Sequence, residues 1–117
     1  MNKVLVIDDE IKMGELIQGI FIKEKNLKVI CAITGMEGLN IFYKEKPDIV
    51  ILDLFLGDMT GFEILERIKI CMPSCYVILV TASHSEENKK LAFTLGADNY
   101  LTKPFHIDDM KNIVFNS

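Results

Sequence analysis

Tryptophan is absent from the 117 residues and proline occurs only three times. No apolar run approaches the ~20 residues that a helical membrane span requires, so no membrane role is expected. Positive charge is also short. Thirteen Lys and Arg stand against 17 Asp and Glu, a formal charge of −4, which argues against bulk attraction to nucleic acid or to an anionic membrane surface. The cysteines are few and odd in number. Cys31, Cys71 and Cys75 have no metal-ligand spacing and no His beside them, which predicts buried or idle thiols in a reducing compartment. Repeats, low-complexity tracts and long charge runs are missing too. With half the residues hydrophobic and 26% charged, the expectation is one cytoplasmic domain spanning 1–117 with a well-filled core.

Five short apolar runs recur along this chain: Val4–Ile7, Leu27–Ile33, Ile49–Leu52, Tyr76–Val80 and a weaker one at Tyr100-Leu101. The first, third and fourth show no polar alternation, as parallel strands covered on both faces do. Between them lie stripes with helical spacing. These are Met13, Leu16, Ile17, Ile20 and Phe21; Met36, Leu39, Ile41 and Phe42; Phe62, Leu65 and Ile68; Leu91, Ala92 and Leu95; and Ile107, Met110, Ile113 and Val114. Pro47 precedes the third strand, Pro73 follows the third helix, and Gly96 sits where a helix end needs a left-handed residue. Strand and helix alternate five times. That pattern predicts a three-layer α/β fold with a parallel sheet and right-handed crossovers.

In such a sheet ligands bind beyond the carboxyl ends of the strands. The residues there are Asp8, Asp9 and Glu10 after the first run, Asp53 after the third, Thr81 to Ser83 after the fourth, and Thr102 to Pro104 after the fifth. Each has a bland reading. Asp8 or Asp9 could cap the first helix, Asp53 could be a loop residue, Thr81 a turn former and Lys103 a solvated charge. Their conjunction at one edge, from separate strands and with complementary chemistry, points to function. Crowded carboxylates call for a cation, and hard oxygen ligands in a partly open site suit Mg²⁺. A carboxylate can attack phosphorus, while an ammonium and a hydroxyl stabilise the transferred group.

The segments Val4-Leu5-Val6-Ile7-Asp8-Asp9-Glu10, Ile51-Leu52-Asp53-Leu54, Val80-Thr81-Ala82, Gly96-Ala97-Asp98-Asn99-Tyr100 and Lys103-Pro104-Phe105, in this order, resemble the receiver domain of a two-component response regulator. The resemblance implies a flavodoxin-like (βα)5 fold with sheet order 2-1-3-4-5. It implies Asp53 as phosphoacceptor and Asp8, Asp9, Asp53 and the Phe55 backbone carbonyl as Mg²⁺ ligands. Thr81 and Lys103 would contact the phosphoryl group, with Thr81 and Tyr100 as the switch pair, and the Lys-Pro bond is commonly cis. The implied partners are a histidine kinase or phosphotransfer protein and an output domain or downstream protein. The output face would run from about Glu86 to Val114, with a phosphorylation-dependent homodimer compatible with it.

The sequence departs from the family pattern after Asp53. Gly57 stands where a proline is usual, which predicts a looser loop, and Phe55 should lie over the mouth of the site. Competing chemistries fit less well. A phosphatase of the haloacid dehalogenase-like class needs an acid two residues after its Asp nucleophile, where Phe55 cannot transfer a proton. A nucleotide-binding or flavin-binding module lacks its phosphate loop, since Asp8-Asp9-Glu10 would repel phosphate. The remaining alternative is a degenerate receiver acting as a phosphorylation-independent interaction module.

Overall fold

The computed structural model describes residues 2–117. Five strands, β1 (Asn2–Ile7), β2 (Leu27–Ala32), β3 (Ile49–Leu52), β4 (Tyr76–Thr81) and β5 (Asn99–Thr102), form one parallel sheet in the order β2-β1-β3-β4-β5. Five helices connect and follow them: α1 (Ile11–Ile20), α2 (Gly35–Glu45), α3 (Gly61–Cys71), α4 (Glu86–Thr94) and α5 (Ile107–Phe115). The order explains the composition of the runs. β1, β3 and β4 are central, and their apolar residues are almost all fully buried, whereas β2 and β5 lie at the edges and are mostly half-buried. Among the described residues, no helix is long and apolar enough to cross a membrane.

Successive side chains on a strand point to opposite faces, so each central strand feeds two cores. Leu5, Ile7, Val50, Leu52, Val77 and Leu79 pack with Leu39, Phe42, Ile64, Leu65, Ile68 and Ala92 of α2, α3 and α4. Val4, Val6, Ile49, Ile51, Ile78 and Val80 pack with Ile17, Phe21, Met110 and Val114, from α1, the residue closing it, and α5. Helix ends follow local chemistry. Thr34, Thr60 and Ser85 cap α2, α3 and α4 by accepting the N–H groups of Glu37, Glu63 and Asn88. Gly96 follows α4 at φ 107°, in the region that glycine adopts without strain. Among the described residues all three cysteines are free. Burial pushes the Cys75 thiol up to about 12, so it is inert, while Cys71 is exposed.

The helix stripes are less faithful than the strands. Leu16, Met36, Leu91 and Ile107 fall in them by spacing yet lie on the exposed side. Of these helices, α1 and α2 meet the sheet through glycine. Gly14 lies over Cys31, where a Cβ would come within 3.0 Å of its sulfur, and Gly38 lies over Ile7, where a Cβ would come within 2.5 Å. A contact made by a missing side chain leaves no hydrophobic signal.

Gly38→Ala should therefore destabilise the fold by about 1–3 kcal/mol from overpacking, partly offset by up to ~1 kcal/mol of helix propensity. Gly19→Ala, where a Cβ meets nothing within 4 Å, should be neutral or mildly stabilising. Urea denaturation of the two variants checks the contrast.

Candidate functional site

The sheet ladder extends one residue past the ends of β1, β3 and β5, and this places the polar groups. Asp8 N–H donates to Ala32 O at 3.1 Å, Asp53 N–H to Ile7 O at 2.9 Å, and Lys103 N–H to Thr81 O at 2.8 Å. Asp8 and Asp53 thus leave adjacent strands side by side, and Lys103 comes back over them from the far edge. Among the described residues, Asp8, Asp53 and Thr81 are the only buried polar or charged residues. All three stand at this one sheet edge.

Lys103 Nζ lies 2.9 Å from Asp8 Oδ2, 3.2 Å from Glu10 Oε1 and 3.5 Å from Asp53 Oδ2. Burial alone would lower the lysine, but its hydrogen bond to Asp8 and the charges of Asp53 and Asp8 outweigh it and raise the ammonium's pKa. Asp53 is raised as well, first by burial and then by the neighbouring charges of Asp8 and Asp9. Lys103 and the Phe55 N–H, 3.5 Å from Asp53 Oδ1, only partly oppose this. The pair is unequal. The lysine gains from its carboxylates, whereas the Asp53 carboxylate is held at a net cost.

Carboxylate oxygens of Asp8, Asp9 and Asp53 lie within 4.8 Å of one another, with Asp9 exposed and the other two buried. One ammonium against three carboxylates leaves an excess of negative charge. The donor set is entirely hard oxygen and open to water at Asp9, which fits Mg²⁺ rather than a softer metal. Helix capping does not account for the acids' placement. Asp8 Oδ1 accepts the Glu10 N–H at 2.9 Å, and no side chain caps α1 at Glu10.

The remaining residues of interest surround this cluster. Thr81 Oγ1 accepts the Ser83 N–H at 3.2 Å. Ser83 in turn takes the Tyr100 hydroxyl on its carbonyl at 3.3 Å, and the Ser85 N–H and Asn88 Nδ2 on its own hydroxyl at 3.2 and 3.1 Å. Tyr100 is half-buried, and burial raises its phenol. The Lys103–Pro104 peptide is cis. Phe55 is exposed, and its backbone bridges Thr60 across the β3–α3 loop. Glu10, the third partner of Lys103, carried no separate sequence signal beyond its place in the acidic run. The linking role of Ser83 carried none at all.

A five-stranded parallel sheet in this order is a flavodoxin-like (βα)5 domain, here with buried carboxylates and a lysine at its carboxyl edge. The model of the response regulator receiver domain matches residues 4–115, and the chain belongs to that family. Solved structures agree. A CheY-like receiver domain protein from Methanospirillum hungatei JF-1 is 29% identical over 99% of this chain and 92% of its own, with a TM-score of 0.93. A receiver domain protein from Clostridium thermocellum is 33% identical over 99% and 93%, with a TM-score of 0.91. The receiver domain of the Francisella response regulator 1452 is 31% identical over 99% and 95%, with a TM-score of 0.89.

The cost of ionised Asp53 has a measurable sign. Because its folded pKa is raised, stability is lost as pH rises from the ordinary aspartate range through the raised value, and the loss is complete above it. Asp53→Asn should therefore raise the thermal midpoint at pH 7 in chelator, with a gain that shrinks towards pH 3. Calorimetry across that range checks it.

Proposed function

We propose that this chain is a phosphorylation-activated signalling switch that accepts a phosphoryl group on Asp53. The observation that carries this reading is the confinement of the buried polar residues Asp8, Asp53 and Thr81 to one sheet edge, beneath Lys103. An Asp53 carboxylate oxygen attacks the phosphorus of a phosphohistidine, in a histidine kinase or phosphotransfer protein, or of a small phosphodonor. The bond from phosphorus to the donor breaks, the donor leaves with its electron pair and takes up a proton, and an acyl phosphate remains on Asp53. Lys103 exchanges its carboxylate contacts for a phosphoryl oxygen, and the Thr81 hydroxyl donates to another. Asp8, Asp9, Asp53 and the Phe55 carbonyl would hold Mg²⁺, which when bound neutralises charge on the transferred group.

Output follows from the same contacts. Drawing Thr81 towards the phosphoryl group breaks its bond with the Ser83 N–H, and Ser83 also holds the Tyr100 hydroxyl and Asn88 of α4. Movement there biases the face of α4, β5 and α5, where a cleft of about 270 Å³ lies between Tyr100, Phe105, Lys89 and Asp109. An output domain, a downstream protein or a second copy of the chain would read that face. The switch is not a turnover enzyme, and it acts in the cytoplasm.

Acetyl phosphate with Mg²⁺ should label the wild type and leave Asp53→Asn unlabelled, as intact-mass measurement would show; undiminished labelling of the variant overturns the assignment. Asp9→Asn should weaken Mg²⁺ binding at least tenfold, about 1.4 kcal/mol, in a fluorescence or calorimetric titration. The phosphorylated state should be long-lived. Phe55 offers no hydrogen bond to a water in line with phosphorus, and the Ser83 hydroxyl already accepts from two donors. Phe55→Asn should accelerate decay several-fold, and an unchanged or slower decay counts against water exclusion by Phe55.

A further inference from the structure

The β3–α3 loop follows Asp53 directly and carries Phe55, so whatever fixes this loop fixes the mouth of the acidic site. The loop closes on itself as a small hairpin. Gly61 N–H donates to Leu54 O at 2.6 Å, Leu56 N–H to Met59 O at 3.3 Å, and Phe55 pairs with Thr60. Its base is tight, since a Cβ on Gly61 would lie 2.5 Å from the carbonyl oxygen of Asp53. Its tip is Gly57-Asp58, and Gly57 allows the chain the widest conformational freedom at the point of least packing. A Cβ there would meet nothing within 4 Å.

That tip is nevertheless tied down. Asp58 Oδ1 accepts the Gly35 N–H at 2.8 Å, and Oδ2 accepts the Met36 N–H at 3.0 Å. These are two of the first-turn N–H groups of α2 that have no partner within the helix, and Thr34 takes the next, from Glu37, at 3.0 Å. The two bonds hold the Asp58 carboxyl below the usual range. The contact is close because residue 35 is glycine. A Cβ there would press on Met59 at 3.0 Å and on Asp58 Oδ1 at 3.1 Å. A carboxylate from one connection thus grips a helix that begins more than twenty residues earlier, and it does so with both oxygens.

We infer that Asp58 is a positioning residue for the phosphoryl-transfer site: it clamps the hairpin tip onto the start of α2 and so holds Phe55 and Asp53 in register with Asp8, Asp9 and Lys103. The clamp supplies the stiffness that Gly57 withholds. This role rests on the phosphoacceptor reading given above, but the motion it restrains is measurable without phosphorylation.

The test compares Asp58→Ala, Asp58→Asn and Thr34→Ala with the wild type by three readouts: amide hydrogen exchange of residues 54–59, Mg²⁺ affinity, and the rate of labelling by acetyl phosphate. Asp58→Ala should speed exchange in that loop at least tenfold, weaken Mg²⁺ binding three- to tenfold, and slow labelling by a similar factor. Asp58→Asn keeps an acceptor for one N–H and should fall between wild type and Asp58→Ala. Thr34→Ala removes a cap from the same helix end without touching the loop, and should move none of the three beyond twofold. Equal losses in the Asn and Ala variants would assign the effect to charge and overturn the positioning role, as would equal losses in Thr34→Ala or no change in Asp58→Ala. If the wild type is not labelled at all, the phosphoacceptor reading fails, and exchange and Mg²⁺ binding alone decide the role of Asp58.

Discussion

One ammonium group holds the strand ends together. Asp8 and Asp53 are buried on adjacent central strands, and burying two carboxylates side by side without a counter-charge would cost several kcal/mol. Lys103 meets that need from the last strand, 95 residues after Asp8. The attraction is not a surplus of stability. Removing the lysine would leave two carboxylates buried and uncompensated, which is the expensive state, whereas removing Asp53 leaves Lys103 paired with Asp8 and Glu10. The edge strand β5 is therefore tied to the centre of the sheet through Lys103, the residue that follows it, while the acids around it keep an excess of negative charge.

Much of this was legible in the residues because it follows from periodicity and from the ends of runs. Ile49–Leu52 reads as a buried strand because all four residues are buried in fact, and Asp53 reads as exceptional because it breaks such a run. The edge strands were fainter, since β5 is half-buried throughout and its bounds extend to Asn99 and Thr102 rather than stopping at Tyr100-Leu101. Strand order has no local signature. The order 2-1-3-4-5 came from the likeness to receiver domains, while the alternation alone left it open.

What stayed hidden shares one physical character: it depends on atoms that composition cannot show meeting. Gly38 against Ile7 is a contact through an absent side chain. Asp58 looks like any acid in a Gly-Asp turn, and its partners are backbone N–H groups of α2, which have no residue identity to read. Ser83 links Thr81, Tyr100 and Asn88 partly through its own backbone. Short polar residues in loops are ambiguous in sequence because their usual role is local, and these two act at a distance.

The sheet order also governs how the molecule can be made. β1 is the first strand of the chain, yet both its neighbours come later, β2 at Leu27–Ala32 and β3 at Ile49–Leu52. During synthesis Val4 to Ile7 have no partner from this sheet until β2 emerges. At roughly 5–20 residues per second, that wait is roughly one to five seconds. No hairpin shortens that wait, because every pairing in the sheet is parallel and spans a crossover. The segment that later carries Asp8 and Asp9 to the site therefore spends the longest time as an unpaired, aggregation-prone strand, within reach of any chaperone that reads short apolar runs.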